Sequence, residues 1–249
     1  MPLVKSITTL GRYMMLMKKV FSIPERWSVF FQQFIREVYK LVFDSVWIVV
    51  IISLFIGAVI TIQTQLNMSS PLLPRYTVGL ATRDVLLLEF SSAIMCLILA
   101  GKVGSNIASE IGTMRVTEQI DALEIMGVNS ACYLILPKIS ALVIFIPILV
   151  VLSMFTGILG GYLVALTTNI ISVSTYIFGI QTAFIEYYVF YSIQKSFVFA
   201  FIIASISSFY GYSITGGAIE VGKASTNAVV ISSVIILLFD VILTKILLQ

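Results

Sequence analysis

The chain has 249 residues, of which 59% are hydrophobic and 11% are charged, with a formal net charge of +3 and a mean hydropathy of +1.07. Soluble domains usually carry about 25% charged residues, so this composition excludes an ordinary water-soluble protein. A membrane-spanning helix needs roughly 20 apolar residues, and the chain therefore has room for about five spans and short connections. Its apolar runs are long and unbroken instead of alternating, which favours helices over a β-barrel.

Residue types that often carry chemistry are scarce. The chain has two cysteines, Cys96 and Cys132, and no histidine. Both cysteines lie in or beside apolar runs, so we expect packing residues instead of a disulfide framework. The missing histidines remove the commonest metal ligand and the commonest general base. We therefore predict no catalytic residue, no metal site and no cofactor on this chain, and no nucleic-acid partner.

The N-terminal region contains a predicted amphipathic helix. The sequence Ser-Ile-Pro-Glu predicts a helix start, with Ser22 as the cap and Glu25 three residues later. Apolar residues of 27–38 then recur at helical spacing, with basic and polar residues between them. Such a helix suits the membrane interface, although packing against the chain's own neighbours explains the same pattern. We assign residues 1–41 to an interfacial region and 42–249 to a helical membrane bundle, both within one domain, 1–249.

Five apolar segments predict five membrane-spanning helices, at residues 46–62, 85–100, 131–166, 196–212 and 228–243. The third segment is too long for one straight span, and its prolines and glycines offer places for a tilt or a kink. Within it, Gly157 and Gly161 form a G-x-x-x-G pair that permits close helix packing. Of the connections, we expect an interfacial segment at 167–194 and a loop of small residues at 216–227.

Residues 105–129 form a polar, acidic connection between the second and third spans. Apolar residues at helical spacing predict a short amphipathic helix outside the membrane, with Gly127 as its C-terminal stop. On charge alone, a solvated face explains this helix as well as a functional surface does. Its place between two spans would allow it to transmit motion from a soluble partner to both.

The basic residues predict the orientation of the chain. Most of the 15 lysines and arginines fall on one side of the predicted spans, and cytoplasmic loops are the ones enriched in positive charge. We therefore place the N-terminus in the cytoplasm and the C-terminus outside. This orientation puts the acidic connection at 105–129 in the cytoplasm.

Two further features are candidate sites. Glu89 lies in the second apolar segment, where an unpaired carboxylate costs a few kcal/mol. We therefore expect a lipid-cavity or interhelical role, with Arg83 or Lys102 as the possible partner. The alternative is a position at the level of the lipid headgroups. Residues 217–223 match G-x-x-x-x-G-K of a phosphate-binding loop. The next residue, Ala224, lacks the required hydroxyl and no strand precedes the motif, so we reject nucleotide binding there.

The acidic connection carries a resemblance to a known family. Residues 100–129, AGKVGSNIASEIGTMRVTEQIDALEIMGVN, and residues 216–230, GGAIEVGKASTNAVV, closely resemble the MlaE-type (YrbE-type) permeases of lipid-transporting ABC systems. The family commonly has an arginine before the glutamate of its second span and a proline after it. The present sequence has Leu-Glu-Phe-Ser-Ser at 88–92 instead, so the family's lipid-site details are not carried over.

The resemblance implies a role and a set of partners. It implies a homodimeric permease in the bacterial inner membrane that moves phospholipid to or from a periplasmic MCE-domain protein and so supports outer-membrane lipid asymmetry. A separate cytoplasmic ABC ATPase would use ATP and Mg²⁺, and a small STAS-type cytoplasmic protein is a further expected partner. Residues 110–126 would be the coupling helix that enters the ATPase, with the candidate contact residues Glu110, Arg115, Glu118, Gln119, Asp121 and Glu124.

Two other classes of function stay open. A secondary transporter or channel would need ionisable residues or broken helices inside the membrane, and Glu89 is the main candidate that the sequence offers. A membrane scaffold that transports nothing is compatible with the same hydropathy. The chain itself is not expected to be an enzyme.

Overall fold

The computed structural model describes residues 2–24, 26–68, 74–168 and 171–248, with side chains described from residue 7 onward. Within these residues the secondary structure is helical, without a β-strand. Five helices in the described part are long and apolar enough to cross a membrane: Trp27–Asn67, Thr77–Val116, Ser130–Thr168, Tyr187–Tyr212 and Ala218–Leu248. The predicted all-α, multi-pass membrane fold is therefore confirmed.

The helices are numbered in chain order. They are α1 (Pro2–Val20), α2 (Trp27–Glu37), α3 (Asp44–Asn67), α4 (Thr77–Val85), α5 (Met95–Leu99), α6 (Ser105–Val116), α7 (Gln119–Ile125), α8 (Ser130–Thr168), α9 (Val173–Gln181), α10 (Tyr187–Tyr212) and α11 (Ala218–Leu248).

Three π-helical segments join some of these helices without a break. Val38–Phe43 joins α2 to α3, Leu86–Ile94 joins α4 to α5, and Ala100–Gly104 joins α5 to α6. Each segment carries a charged residue, namely Lys40, Glu89 or Lys102. π-Helical turns widen a helix and are frequent at functional sites, so these three charged side chains sit at locally irregular backbone.

The N-terminal region differs from the prediction. The helix α2 begins at Trp27, and its N-cap residue, Arg26, makes no capping bond through its side chain. Ser22 is not a cap, because its hydroxyl accepts a hydrogen bond from Asn129 instead. The capping role predicted for Glu25 lies outside the described residues. The helix α1 was not predicted, and α2 is continuous with the first span through a π-helical segment.

Three connections also differ from the prediction. The loop predicted at 216–227 is wrong, because α11 begins at Ala218. This helix includes Lys223 of the phosphate-loop-like motif, whose Nζ lies 2.7 Å from Glu220 Oε1. The interfacial segment predicted at 167–194 contains α9 and the first turns of α10. The acidic helix predicted as one piece is interrupted at Thr117 and Glu118, since α6 belongs to the second span and α7 starts at Gln119.

The described chain packs into two compact units. One combines residues from Met1–Asp44, Leu99–Phe145 and Phe199–Phe239, and the other combines residues from Ser45–Ile98, Ile146–Val198 and Asp240–Gln249. The first unit buries Ile107, Ile111 and Phe199 completely, while the second buries Tyr176 within an apolar cluster. The assignment of residues 1–249 to one domain, with a boundary at 41, stays a prediction.

Candidate functional site

The acidic connection of the first unit forms a sharp corner between α6 and α7. The helix α6 ends at Val116, and Glu118 adopts a left-handed backbone conformation with φ of 60° before α7 begins. The helix α7 ends at Ile125, and Gly127, two residues later, has a φ of 79°. The amides of Gly127 and Val128 donate to the carbonyls of Glu124 and Leu123, as in a Schellman motif. The stop predicted at Gly127 is thus confirmed.

Side chains at both ends of α7 hold it against neighbouring helices of the same unit. Arg115 Nη1 lies 2.5 Å from Asp121 Oδ1, so this pair closes the corner. Glu124 accepts hydrogen bonds from the hydroxyls of Tyr212 and Ser130, at 2.8 and 2.9 Å. Because both bonds favour the ionised form, the pKa of Glu124 lies below its usual range. The helix α7 is therefore fastened to the start of α8 and the end of α10.

The outward side of this corner is exposed. Glu118 and Gln119 are exposed and make no ion pair within the described structure. Ile125 and Met126 are also exposed, by 87% and 68%, although both are large apolar residues. The sequence analysis did not single out these two, although apolar residues beside an acidic turn are a recognisable signal of a contact surface. We call the surface of Glu118, Gln119, Ile125 and Met126 the α7 surface.

Glu110, by contrast, points into the first unit. Its carboxylate forms ion pairs with Lys138 and Lys40, both at 2.8 Å, and Lys138 also lies 2.6 Å from Glu37. Lys138 is only 2% exposed. The network connects the end of α2, the α6 helix and α8. Of the six predicted coupling residues, Glu110, Arg115, Asp121 and Glu124 thus hold the corner in place, and Glu118 and Gln119 face outward.

The left-handed backbone at Glu118 predicts a measurable strain. This conformation costs roughly 1–2 kcal/mol for a residue with a Cβ atom and little for glycine. We expect Glu118→Gly to be more stable than Glu118→Ala by about 1 kcal/mol, although both variants remove the same carboxylate. Urea unfolding of the two variants in detergent micelles measures this difference. Equal stabilities would contradict the strain.

The hydrogen bonds to Glu124 predict a pH dependence. Its folded pKa is lowered by Tyr212 and Ser130, while Lys19 and Arg115 act in the same direction. The resulting stabilisation is fully present above the unfolded glutamate pKa of about 4.3 and is lost as the pH falls through the lower folded pKa. We expect wild type to be more stable than Glu124→Gln at pH 6, and the difference to shrink below pH 4. Thermal unfolding across this pH range tests it, and a constant difference would contradict it.

The second unit contains a cluster of ionisable residues around one buried lysine in the spans. Lys195 of α10 is completely buried. Its Nζ lies 2.6 Å from Asp240 of α11 and 3.3 Å from Glu89, and it donates hydrogen bonds to the hydroxyls of Tyr191 at 2.7 Å and Thr244 at 3.0 Å. A lysine inside an apolar bundle is stable only with such partners. Glu89 is therefore an interhelical ion-pair residue.

The partners predicted for Glu89 are wrong. Arg83 is 2% exposed and donates to the carbonyls of Ile180 and Thr182 at 2.8 Å, so it binds the C-terminal end of α9 and not Glu89. Lys102 belongs to the first unit, where it donates to the carbonyl of Asp44. The correct partner, Lys195, lies more than 100 residues away in the sequence.

Sequence reasoning missed Lys195 and Asp240 for a specific reason. Each is a single charge in or beside a long apolar segment, and hydropathy averages it away. A signal was nevertheless present, since one acid and one base in two different spans are expected to pair. Among the described residues, no group of three His, Cys, Asp or Glu side chains could hold a metal ion.

The glycines of the predicted packing motif lie where α3 and α8 meet in the second unit. A Cβ atom added at Gly161 would clash with the hydroxyls of Tyr176 and Thr61, and one at Gly157 would lie 3.0 Å from Leu86. Gly57 of α3 shows the closest approach, because an added Cβ atom there would overlap the carbonyl of Gly157. Small residues at this crossing let the two backbones come together.

Known proteins share this sequence over most of its length. The profile of the family described as Permease MlaE matches residues 34–246. A probable ABC transporter permease protein of Rickettsia bellii (strain RML369-C) is 37% identical over 221 residues, which cover 87% of this chain and 83% of that protein. A probable ABC transporter permease protein of Synechocystis sp. is 35% identical over 206 residues, which cover 83% and 78%.

A plant protein is also similar. The chloroplastic protein trigalactosyldiacylglycerol 1 of Arabidopsis thaliana is 32% identical over 201 residues, covering 81% of this chain and 57% of that protein. The region that the family profile matches, residues 34–246, contains all five apolar spans almost completely, together with the α6–α7 corner and the Lys195 cluster. On this extent of similarity, the chain belongs to the MlaE family of ABC transporter permeases.

Proposed function

We propose that this chain is the membrane subunit of an ATP-driven transporter that moves phospholipid between the bacterial inner membrane and a periplasmic MCE-domain carrier, and so supports outer-membrane lipid asymmetry. The observation that carries the proposal is an exposed acidic and apolar surface at α7 in a chain of the MlaE permease family. One similar protein also bears the name of a diacylglycerol glycolipid.

The coupling step rests on the construction of the α6–α7 corner. An ATPase bound to the α7 surface would push on a helix that Glu124 fastens to Ser130 of α8 and Tyr212 of α10. Motion of α7 would therefore reach two spans directly and the second span through α6. By analogy with the family, we also propose that the transporter contains two ATPase copies that use ATP and Mg²⁺, a second copy of this chain, and a small STAS-type protein.

The lipid chemistry rests on the composition of the spans. Acyl chains need apolar walls, and the spans expose large apolar side chains such as Phe55, Phe155 and Val234. The buried charges of the second unit are paired, Lys195 with Asp240 and Arg83 with Asp84.

Charge reversal on the α7 surface tests the coupling role. Glu118→Lys combined with Ile125→Asp should abolish co-purification of the ATPase and ATP-dependent lipid transfer in proteoliposomes. Glu186→Lys is the matched control, because Glu186 is an exposed acid outside α7. If the α7 variant retains the ATPase as well as the control does, the coupling role is wrong.

Cysteine labelling tests the proposed orientation. The native cysteines are buried, so a cysteine at position 118 or 186 would supply the reactive thiol. A maleimide that cannot cross membranes should label Glu186→Cys in intact spheroplasts and Glu118→Cys only after lysis. The opposite pattern would place the α7 surface in the periplasm and remove the coupling role.

An ion-driven transporter is the alternative, favoured by Lys195, Asp240 and Glu89 inside the spans. Lipid transfer that follows a proton or sodium gradient without ATP would support it. Transfer that requires ATP and persists after the gradient is collapsed would exclude it.

A further inference from the structure

A cavity of about 510 Å³ lies in the first unit at the turn between α1 and α2, beside the start of α8. This volume is in the range of about 300–1,000 Å³ that is usual for ligand sites. We call it the corner cavity. The side chains that matter for its chemistry are Ile23, Arg26, Val29, Phe30, Gln33 and Asn129. The wall therefore combines a cation and amides with apolar groups.

The polar side of the corner cavity favours an anion. Arg26 carries the sole formal charge among the described residues that line it, and it has no ion-pair partner in the described structure. Arg26 is also the N-cap residue of α2, where no side chain caps the first amides. The free N–H groups at a helix N-terminus attract negative charge. A guanidinium beside such amides matches the oxygens of a phosphate group.

The shape of the corner cavity is fixed before any ligand binds. Asn129 Nδ2 donates to the carbonyl of Lys19 at 3.1 Å and to the hydroxyl of Ser22 at 2.8 Å. Cys132 Sγ lies 3.3 Å from the carbonyl of Ser22 and donates to it. These bonds tie the turn to α8. A pre-organised wall lowers the entropy that a ligand loses on binding.

The surroundings of the corner cavity are those of a membrane interface. Large apolar side chains around it are exposed, namely Phe21 by 59%, Ile23 by 83%, Trp27 by 57% and Phe31 by 55%. Two basic residues, Lys18 and Lys19, are exposed in the last turn of α1. Tryptophan favours the headgroup level, and basic residues there attract anionic lipid. A ligand with both phosphate and hydrocarbon is thus available at this place.

From these features we propose that the corner cavity binds the headgroup of an anionic phospholipid that is not transported. The phosphate lies against Arg26 and the N-terminus of α2, and the first acyl carbons lie against Ile23 and Phe30. The bound lipid holds α2 in the interface, against the turn that Asn129 already ties to the start of α8. Such a lipid would bind whether or not the chain transports phospholipid.

Trp27 beside the cavity reports on occupancy. The chain has two tryptophans, so Trp47→Phe leaves Trp27 as the single tryptophan, which can be excited apart from the tyrosines at 295 nm or longer. This protein is reconstituted into phosphatidylcholine nanodiscs with increasing fractions of phosphatidylglycerol that carries bromine on its acyl chains. Saturable quenching at a few mole per cent is expected for brominated phosphatidylglycerol. Brominated phosphatidylcholine should give a weaker, unsaturated response, and equal quenching by the two lipids would overturn the proposal.

Two variants separate binding at the cavity from general charge attraction. Arg26→Gln should weaken the apparent affinity for phosphatidylglycerol about tenfold, which is about 1.4 kcal/mol, because the charge-assisted bond to the phosphate is lost. Arg36→Gln removes the same charge from an exposed position on α2 outside the lining and should change the affinity less than about twofold. Val29→Phe narrows the cavity without altering charge and should also weaken the saturable quenching. Equal affinities of all three variants would overturn the proposal.

Inorganic phosphate distinguishes a lipid from a free anion. Millimolar phosphate should leave the quenching by phosphatidylglycerol unchanged, because the lipid adds apolar contacts to the same phosphate chemistry. Full displacement by phosphate would assign the cavity to a soluble anion and overturn the lipid assignment.

Discussion

Replacing Lys195 by methionine is expected to lower the free energy of unfolding in detergent micelles by about 3–5 kcal/mol. The methionine fills a similar volume, but it leaves the carboxylate of Asp240, whose side chain is only 16% exposed, in an apolar bundle without its cation. Removing one partner of a buried ion pair is costly because the remaining charge has lost its water and its counter-ion. Urea unfolding monitored by tryptophan fluorescence measures the loss.

A second substitution shows whether charge is the cause. In the double variant Lys195→Met with Asp240→Asn, the more deeply buried of the two carboxylates is replaced by a neutral amide. We expect most of the lost stability to return. Lys245→Met is the matched control, since Lys245 is exposed in the same unit and should change stability by less than about 0.5 kcal/mol. If Lys195→Met costs no more than this control, the buried cluster does not stabilise the fold.

Replacing Gly57 by valine is expected to cost at least about 3 kcal/mol. The Cβ atom would overlap the carbonyl of Gly157, so α3 and α8 would have to separate along their contact. Overpacking a core usually costs about 1–3 kcal/mol, and the upper end is expected here because backbone cannot yield as a flexible side chain can. Size-exclusion chromatography and thermal unfolding in detergent should show an aggregated or strongly destabilised protein.

Gly222 offers the matched control for this prediction. It lies in the helix α11, and a Cβ atom added there would meet nothing within 4 Å. We expect Gly222→Ala to stabilise the protein by up to about 1 kcal/mol, because alanine is the better helix former. Equal destabilisation by Gly57→Val and Gly222→Ala would show that helix contact at Gly57 is unimportant.

The spans were predictable because the signal for them is local. Each needs about 20 apolar residues in a row, and no distant residue changes that requirement. The first and last residues of the helices were less predictable. Polar residues such as Glu220 and Lys223 at the start of α11 lower the hydropathy there, although their pairing favours the helix. No local pattern in the sequence predicts the π-helical segments, although they carry Lys40, Glu89 and Lys102.

The acidic connection was predicted in part. Its helical spacing and the stop at Gly127 follow from residue types alone, whereas the break at Glu118 does not, since glutamate rarely adopts a left-handed conformation. The six candidate coupling residues look alike in sequence. Only their contacts distinguish Glu110, which pairs with buried Lys138, from the exposed Glu118.

By itself, the sequence determined that this protein is an α-helical, multi-pass permease, because hydropathy and family motifs depend on residues that are close together in the chain. The tertiary structure alone decided which charges meet. Lys195, Glu89 and Asp240 come from three different spans, and Glu37, Glu110 and Lys138 from three other places in the chain. In an apolar bundle a charge must find a partner wherever packing brings one, and packing joins residues that no local pattern connects.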